Sequence, residues 1–305
     1  GAPITKMQEP LSPAESAKRI VTQPGFKVSL WAAEPEITKP IALAWDARGR
    51  LWIAETVDYP NEQQPDGQGR DRIRICEDTN GDGRADKFTV FADKLNMATS
   101  LTFVNGGVMV AVLRNFVFLK DTNGDDKADE RTVIFPSSFG TRDTHAIASN
   151  LTRGFDNWLY GAVGYSNFRG KVGGSDLQFG QGLFRFKADG SALEFLHQFN
   201  NNTWGLGLNG HGDMFGSTAN GNPSEYMPIA NRYYEAVRGW SSTALRGIAG
   251  NPKFAAITEK VRQVDWHGGF TAAAGHALYT ARNYPREYWN RTAFVAEPTG
   301  HLLAT

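Results

Sequence analysis

Residues 76–91 read CEDTNGDGRADKFTVF, and residues 119–135 read LKDTNGDDKADERTVIF. Each places an Asp/Asn/Gly-rich loop between two short runs of alternating apolar residues, the pattern of a hairpin. A second hairpin pattern precedes each one. These are IALAWDARGRLWIAE (41–55) and SLTFVNGGVMVAV (100–112), the latter with the turn signal Asn105-Gly106. The phrase returns as AIASNLTRGFDNWLYGAVG (146–164) and WGLGLNGHGDMFGSTANG (204–221). A degenerate fifth copy is FTAAAGHALYTARNYPREYWNRTAFVAE (270–297). Two hairpins make four strands, and the units recur at intervals close to the roughly 40–50 residues of propeller blades. A two-sheet sandwich, the competing all-β arrangement, does not repeat a four-strand phrase. The expected fold is an all-β propeller of four-stranded antiparallel blades, five of them visible, with six or more expected in a full ring.

The repeat also settles a decoy. GLGLNG (205–210) matches G-x-G-x-x-G, but a dinucleotide fingerprint needs a strand before it and a helix after it. Here it falls within a strand and its hairpin turn. Residues 1–25 read as an N-terminal extension with a short helix at 13–20, and 26–305 as the propeller. The run FKVSLWAAE (26–34) is expected to add one outer strand to close the ring. The fifth blade reaches Thr305 where a third strand should be finishing. The propeller is therefore expected to be incomplete, with its open edge covered by a missing C-terminal segment or by self-association.

The composition is that of an ordinary globular domain, 41% hydrophobic and 21% charged, with a formal net charge of zero. No basic excess is present to neutralise phosphates, so a nucleic-acid partner is not expected. No apolar run reaches membrane-spanning length. Cys76 is the only cysteine, which excludes an internal disulfide and reads as a small buried side chain.

The acidic loops carry oxygen ligands at the spacing Ca²⁺ accepts. In the first these are Asp78, Asn80, Asp82, the main-chain carbonyl of Arg84, and Asp86. In the second they are Asp121, Asn123, Asp125, the carbonyl of Lys127, and Asp129. Gly83 stands where such loops turn sharply, and Asp126 replaces it in the twin, a residue that visits the left-handed region more readily than most. Thr89 and Thr132 stand where a bidentate Glu completes such loops. The alternative is two polar hairpin tips held by Asn/Asp side-chain turns. Connections alternate between the two faces of a blade, so the acidic loops share a face with tight first hairpins such as Ala47–Gly49. The long connections 57–71, 136–144, 165–181 and 222–266 gather on the other face, where function is expected. The calcium is then structural.

Residues just before each inner strand point into that mouth: Lys39, Asn96, His145, Asn202 and His267. In TRDTHAIAS (141–149), His145 is a candidate general base, Asp143 its orienting carboxylate and Arg142 a holder of anionic groups. For any single His, a channel hydrogen bond is the competing role. Arg169, Lys171, His267 and Asn220 are candidates for cofactor contacts. Trp240, Tyr233 and Tyr234 are candidates to stack on a sugar ring.

GFKVSLWAAEP, KPIALAWDARGRLWIAE, DTNGDGRADK and GHALYTARNYPREYWNRTAFVAEP together resemble the propeller of the planctomycete and verrucomicrobial (PVC-type) membrane-bound dehydrogenase family. That family is similar to soluble quinoprotein glucose and sorbosone dehydrogenases. The resemblance implies oxidation of a sugar or alcohol by hydride transfer to pyrroloquinoline quinone, an exported or periplasmic protein, and a cytochrome as electron acceptor. In the quinoprotein sugar dehydrogenases a His precedes a Gly-Pro-Asp-Gly-x-Leu-Tyr strand and removes the substrate hydroxyl proton. His145, followed by RGFDNWLYGAVG (153–164), is similar in placement, with Gly154-Phe155-Asp156 in place of Gly-Pro-Asp. Two other readings stay open. One is a calcium-stabilised propeller that only binds carbohydrate or protein. The other is a metal-dependent lactonase using Glu55 and Asn220.

Overall fold

Runs rich in Val, Ile, Phe and Trp, punctuated by Asn-Gly and Asp-Gly, form short strands joined by tight turns. The computed structural model describes residues 10–239, 246–249, 251–258 and 267–305. Five antiparallel sheets succeed one another along the chain. Blade I is β1 (Pro40–Trp45), β2 (Leu51–Glu55), β3 (Asp71–Glu77) and β4 (Lys87–Leu95). Blade II is β5 (Ala98–Val104), β6 (Gly107–Val112), β7 (Asn115–Lys120) and β8 (Glu130–Ile134). Blade III begins with β9 (Ser149–Arg153) and β10 (Leu159–Val163), is interrupted by a separate hairpin of β11 (Phe168–Val172) and β12 (Ser175–Phe179), and resumes with β13 (Gly182–Phe186) and β14 (Leu193–Gln198). Blade IV is β15 (Thr203–Leu208), β16 (Met214–Thr218), β17 (Asn222–Met227) and β18 (Arg246–Gly247). Blade V is β19 (Ala274–Leu278), β20 (Ala293–Glu297) and β21 (Leu302–Ala304). The protein is a five-bladed β-propeller, as the repeat predicts.

The core lies between blades. Trp52, Ile73, Ile75, Phe91, Leu101 and Val110 fill the space between blades I and II. Phe116, Phe135, Phe139, Phe168, Phe184 and Phe186 fill the next interface, with ring centroids 4.7–6.1 Å apart. Strands buried on both faces read as nearly continuous apolar runs, as GVMVAV of β6 does. Polar side chains stitch neighbouring inner strands. Thr99 Oγ1 donates to the Ala148 carbonyl (2.6 Å), Ser100 Oγ accepts from the Leu151 amide (2.7 Å), and Asn150 Nδ2 donates to the Trp204 carbonyl (2.9 Å).

One backbone bond recurs at the same end of four blades. A carbonyl at or just before the inner strand accepts the first amide beyond the second strand. The pairs are Thr56 to Lys39 (3.2 Å), Leu113 to Met97 (3.3 Å), Gly164 to Ala146 (3.0 Å) and Ala219 to Asn202 (2.8 Å). In blade III this closure leaves no room for a side chain: a Cβ on Gly164 would lie 1.7 Å from Asn202 Oδ1 and 2.9 Å from Ala146 Cα.

Three expectations are corrected. The N-terminal helix is α1 (Pro13–Ala17), shorter than 13–20 because Ser12 caps it and Lys18 already ends it. Residues 26–34 form no strand. They cross as a strap, with Phe26 against Tyr284 and Tyr288 of blade V (4.8 and 5.4 Å) and Trp31 against Trp45 of blade I (5.6 Å). The Trp31 carbonyl accepts the Ala85 amide at 2.8 Å. The stretch 222–266 is not one loop: its first residues are β17, joined to β16 by the short turn 219–221. The excursion after β17 carries α2 (Asn231–Glu235), which packs along β14. On β1, Ala42 and Ala44 pack towards blade II, whereas Leu43 and Trp45 on the opposite face stay 64% and 59% exposed. Leu303 on β21 is 67% exposed. Among the described residues no helix is long and apolar enough to cross a membrane.

Candidate active site at the long-loop face

Antiparallel alternation puts the β2–β3 connection, the blade II–III connection and the β11–β12 hairpin at one end of the molecule. The chain reaches across that end. Loop 56–70 leaves blade I and meets residues 141–145 ahead of blade III. Gln63 Nε2 donates to the Thr141 carbonyl (2.8 Å), and Thr144 Oγ1 donates to the Pro60 carbonyl (2.6 Å). Asp71 anchors the base of this bridge. Fully buried, it accepts from Thr56 Oγ1 (2.6 Å), Val57 N (2.7 Å), Asp58 N (2.9 Å) and Ala98 N (2.9 Å), tying blade I to blade II.

His145 sits in a one-turn 3₁₀ helix, Thr144–Ala146. Its carbonyl accepts from Asn202 Nδ2 (3.1 Å) and from the Trp204 indole. Its ring meets Tyr59: Oη lies 2.7 Å from Nδ1, with the rings 5.3 Å apart and nearly perpendicular. The residue is exposed, and Nε2 has no partner among the described residues. Asp143 does not touch the ring. Its carboxylate accepts the His145 backbone N–H (3.0 Å) and so caps the turn, as a short acidic side chain does at a helix start. The partner of the imidazole is therefore Tyr59, not Asp143. Burial, and secondarily the Asp143 charge, push the Tyr59 phenol above its ordinary range, so it is protonated at neutral pH. Lys39 is committed to the Tyr59 and Val57 carbonyls (2.8 and 3.4 Å). Asn96 is buried and bonded to Gln64. Asn202 Oδ1 is buried beside this cluster without a partner.

The other candidates are placed less centrally. Arg142 is exposed next to Asp143 and pairs with no carboxylate among the described residues. Arg169 and Lys171 are exposed on β11, a hairpin hinged to the site where Ser166 Oγ donates to the Asp143 carbonyl (2.6 Å). Asn220 takes a left-handed φ of 66° and its amide bonds Thr271 O (3.1 Å), joining blades IV and V. His267 is exposed in a turn before Phe270, and no bond joins it to the His145 cluster. Tyr233 and Tyr234 belong to α2 on the flank of blade III, where Arg232 pairs with Glu194 and His197 Nδ1 meets Asn231 Oδ1 at 2.5 Å. They do not line the mouth, because the excursion leaves from the far end of β17. Trp240 lies outside the described residues. Glu55, considered for a lactonase centre, is fully buried and accepts from Thr38 N (2.8 Å), Arg72 and Arg74 Nε (3.0 Å). Glu297, at the same place in blade V, likewise accepts from Thr271 and Ala272. Both carboxylates hold the entry to an inner strand.

At the opposite end the two acidic loops fold alike. Asp78 accepts from Gly81 N (2.7 Å) and Gly83 N (2.8 Å), Asn80 Oδ1 from Asp82 N (2.9 Å), and Asp82 Oδ1 from Arg84 N (2.8 Å). Asp121, Asn123 and Asp125 repeat these bonds on Gly124, Asp126, Asp125 and Lys127. Asp86 and Asp129 each bind the amide and hydroxyl of a threonine, Thr79 and Thr122. The backbone bond from Thr79, then its hydroxyl, holds the Asp86 carboxyl below its ordinary range. Gly83 and Asp126 occupy the same left-handed position, φ 86° and 62°. Asp126 adds an ion pair to Arg50 (2.9 Å) and Arg48 (3.2 Å), so the second loop grips blade I. The donor set is all oxygen, which suits Ca²⁺. Among the described residues, however, no three His, Cys, Asp or Glu side chains gather into a metal-holding group.

Comparison with solved structures returns the same architecture. The PQQ-bound aldose sugar dehydrogenase of Streptomyces coelicolor superposes with a TM-score of 0.54 at 14% identity, covering 88% of this chain and 76% of that one. A Trichoderma reesei carbohydrate-active enzyme of family AA12 gives 0.53 at 13% identity, with 91% and 77% covered. A luciferin-regenerating enzyme gives 0.51 at 11% identity, with 88% and 71% covered. At these identities the likeness is one of fold. A search of curated proteins finds no match. Residues 12–305 match the family model described as a domain of unknown function, DUF7133, and the chain belongs to that family.

Proposed function

We propose that the long-loop mouth is the active site of a quinoprotein-type dehydrogenase that oxidises a sugar or alcohol, with His145 as general base. The observation that carries this reading is the His145 imidazole: its Nδ1 is engaged by Tyr59 while Nε2 stands unpartnered at the mouth. The fold shared with a PQQ-bound aldose sugar dehydrogenase supports it. Pyrroloquinoline quinone is a tricarboxylate, and the residues around the mouth fit such a group in charge: Arg142 lacks a carboxylate partner and the cations Arg169 and Lys171 are exposed on the adjoining hairpin. When bound, the quinone supplies a hydride acceptor. The chain supplies the rest. His145 Nε2 takes the hydroxyl proton as the substrate carbon is oxidised, and Tyr59 holds the ring. Arg142 orients anionic groups at the rim, and the buried Asn202 Oδ1 offers an acceptor beside them. A protein-docking role would leave His145 dispensable.

The two acidic loops are proposed as structural calcium sites on the opposite face. Asp78, Asn80, Asp82, the Arg84 carbonyl and Asp86 are the donors in one loop, and Asp121, Asn123, Asp125, the Lys127 carbonyl and Asp129 in the other. An exported location and a cytochrome electron acceptor belong to the same proposal. The test is titration of the protein with pyrroloquinoline quinone and Ca²⁺, followed by absorbance, with an aldose panel and an electron-accepting dye. A saturable spectral change and sugar-dependent dye reduction are expected. No spectral change and no dye reduction would reject the dehydrogenase.

A further inference from the structure

We propose that Tyr59 is the positioning residue of His145: its phenol oxygen accepts the Nδ1–H, which leaves the Nε2 lone pair facing the mouth. The inference rests on the base role given to His145 and names the residue that makes it possible.

Tyr59 reaches this position from blade I, across blade II, to a ring that belongs to the entry of blade III. It is held there from several sides. Its ring packs on Met97, Leu113 and Ile147, its carbonyl accepts from Lys39 Nζ at 2.8 Å, and the preceding amide, Asp58 N, is fixed by Asp71 at 2.9 Å. A side chain so constrained can hold its partner's ring to one orientation. The carboxylate that usually orients a catalytic imidazole is not available, because Asp143 is used by the backbone of its own turn.

The direction of the Tyr59–His145 bond follows from the chemistry asked of the site. A histidine that has taken a proton carries N–H on both nitrogens. In that state Tyr59 must accept. A ring that already donates Nδ1–H in its neutral form reaches the protonated form with no rearrangement of its partner, which is the economy of a preorganised site. Asp143 lies beside the pair, Arg142 is exposed, and the Lys39 ammonium donates to the Tyr59 and Val57 carbonyls. With its oxygen accepting, the Tyr59 hydroxyl proton has no acceptor among the described residues. It is free to donate to a ligand hydroxyl in the mouth.

The tautomer is read directly by ¹⁵N NMR of the cofactor-free protein near neutral pH, with the His145 signals assigned by their loss in His145→Gln. The expected result is the Nδ1–H tautomer in the wild type and a shift towards Nε2–H in Tyr59→Phe, which keeps the packing ring and removes the acceptor. In the reconstituted enzyme, Tyr59→Phe is expected to lower kcat by roughly tenfold or more with KM little changed. An Nε2–H tautomer in the wild type, or a tautomer unchanged in Tyr59→Phe, would overturn the proposal. The NMR result needs no cofactor or substrate. A protein inactive on every sugar would sink the dehydrogenase and leave the tautomer reading standing. An active enzyme with the wrong tautomer would sink only the role of Tyr59.

Discussion

Buried titratable side chains, among them His276, His197 and Glu225, set how this protein should respond to acid. His276 on β19 is 2% exposed, stacks on Phe215 at 5.7 Å, bonds Ser224 Oγ through Nε2 (2.7 Å) and leaves Nδ1 unpartnered. Burial pushes its pKa down to about 4. The folded protein therefore holds this histidine neutral where the unfolded chain protonates it. Stability rises with pH through that window, and is lost as pH falls from about 6.5 towards about 4, by up to about 3 kcal/mol from this group. Glu225 acts with the opposite sign: burial raises its pKa, so its contribution is present in acid and lost as pH rises. Denaturant midpoints of wild type and His276→Gln, compared from pH 7 to pH 4, isolate the histidine. The gap between wild type and variant should shift in the variant's favour as pH falls; a gap constant with pH would contradict the assignment.

Sequence made His145 visible and hid its partner. A His in a polar turn before an inner strand is a local pattern, readable once the repeat is recognised. Tyr59 is distant in sequence and comes from another blade's loop, so nothing near either residue announces the pair. Asp143 was the local carboxylate and was assigned to the ring. In the structure the backbone of a one-turn helix claims it first, since an unsatisfied helix-start amide is costly.

At the scale of elements, the acidic loops and Asp71 make separable predictions. The loop phrases were legible because a ladder turn in which Asp and Asn accept amides two to five residues on is a local device. If they hold Ca²⁺ in the native state alone, chelation should lower the melting temperature and excess Ca²⁺ should raise it by mass action. Coincident melting curves would remove calcium from the account and leave two self-satisfied hairpin tips. Asp71→Ala strands four donors, three of them backbone amides. It should cost about 3 kcal/mol or more, measured by urea denaturation, because buried N–H groups without acceptors are expensive. A cost under about 1 kcal/mol would mean that water replaces the carboxylate. The β11–β12 hairpin was read as a loop although Gly173-Gly174, both at positive φ (56° and 84°), is a two-residue hairpin signal. The excursion after β17 was misplaced because Asn222–Met227, NPSEYM, is as long as β7 and alternates in burial, but carries Asn, Pro, Ser and Glu where β3, β7 and β13 carry apolar residues that can be read in the sequence.

At the scale of the molecule, five blades were legible because a four-strand phrase repeats, and the path of residues 26–34 was not. A strap has no periodicity to read. Phe26 contributes a half-buried ring against two tyrosines, so Phe26→Ala should lower stability by about 1–2 kcal/mol and protect no active-site feature. Proteolysis with trypsin near Lys27 should accelerate in the variant; an unchanged rate and midpoint would show that the strap carries no load. Leu43 and Trp45 on the first blade and Leu303 on the last are exposed apolar side chains.

The account turns on His145, placed by the propeller at the face where long loops meet and held by a tyrosine from another blade. The direct test is dye-linked sugar oxidation by the quinone- and Ca²⁺-reconstituted protein, wild type against His145→Ala, with cofactor binding followed by absorbance in both. The prediction is cofactor binding in both and a loss of kcat of about a hundredfold or more in the variant. Sugar oxidation by His145→Ala within a few-fold of wild type would contradict it.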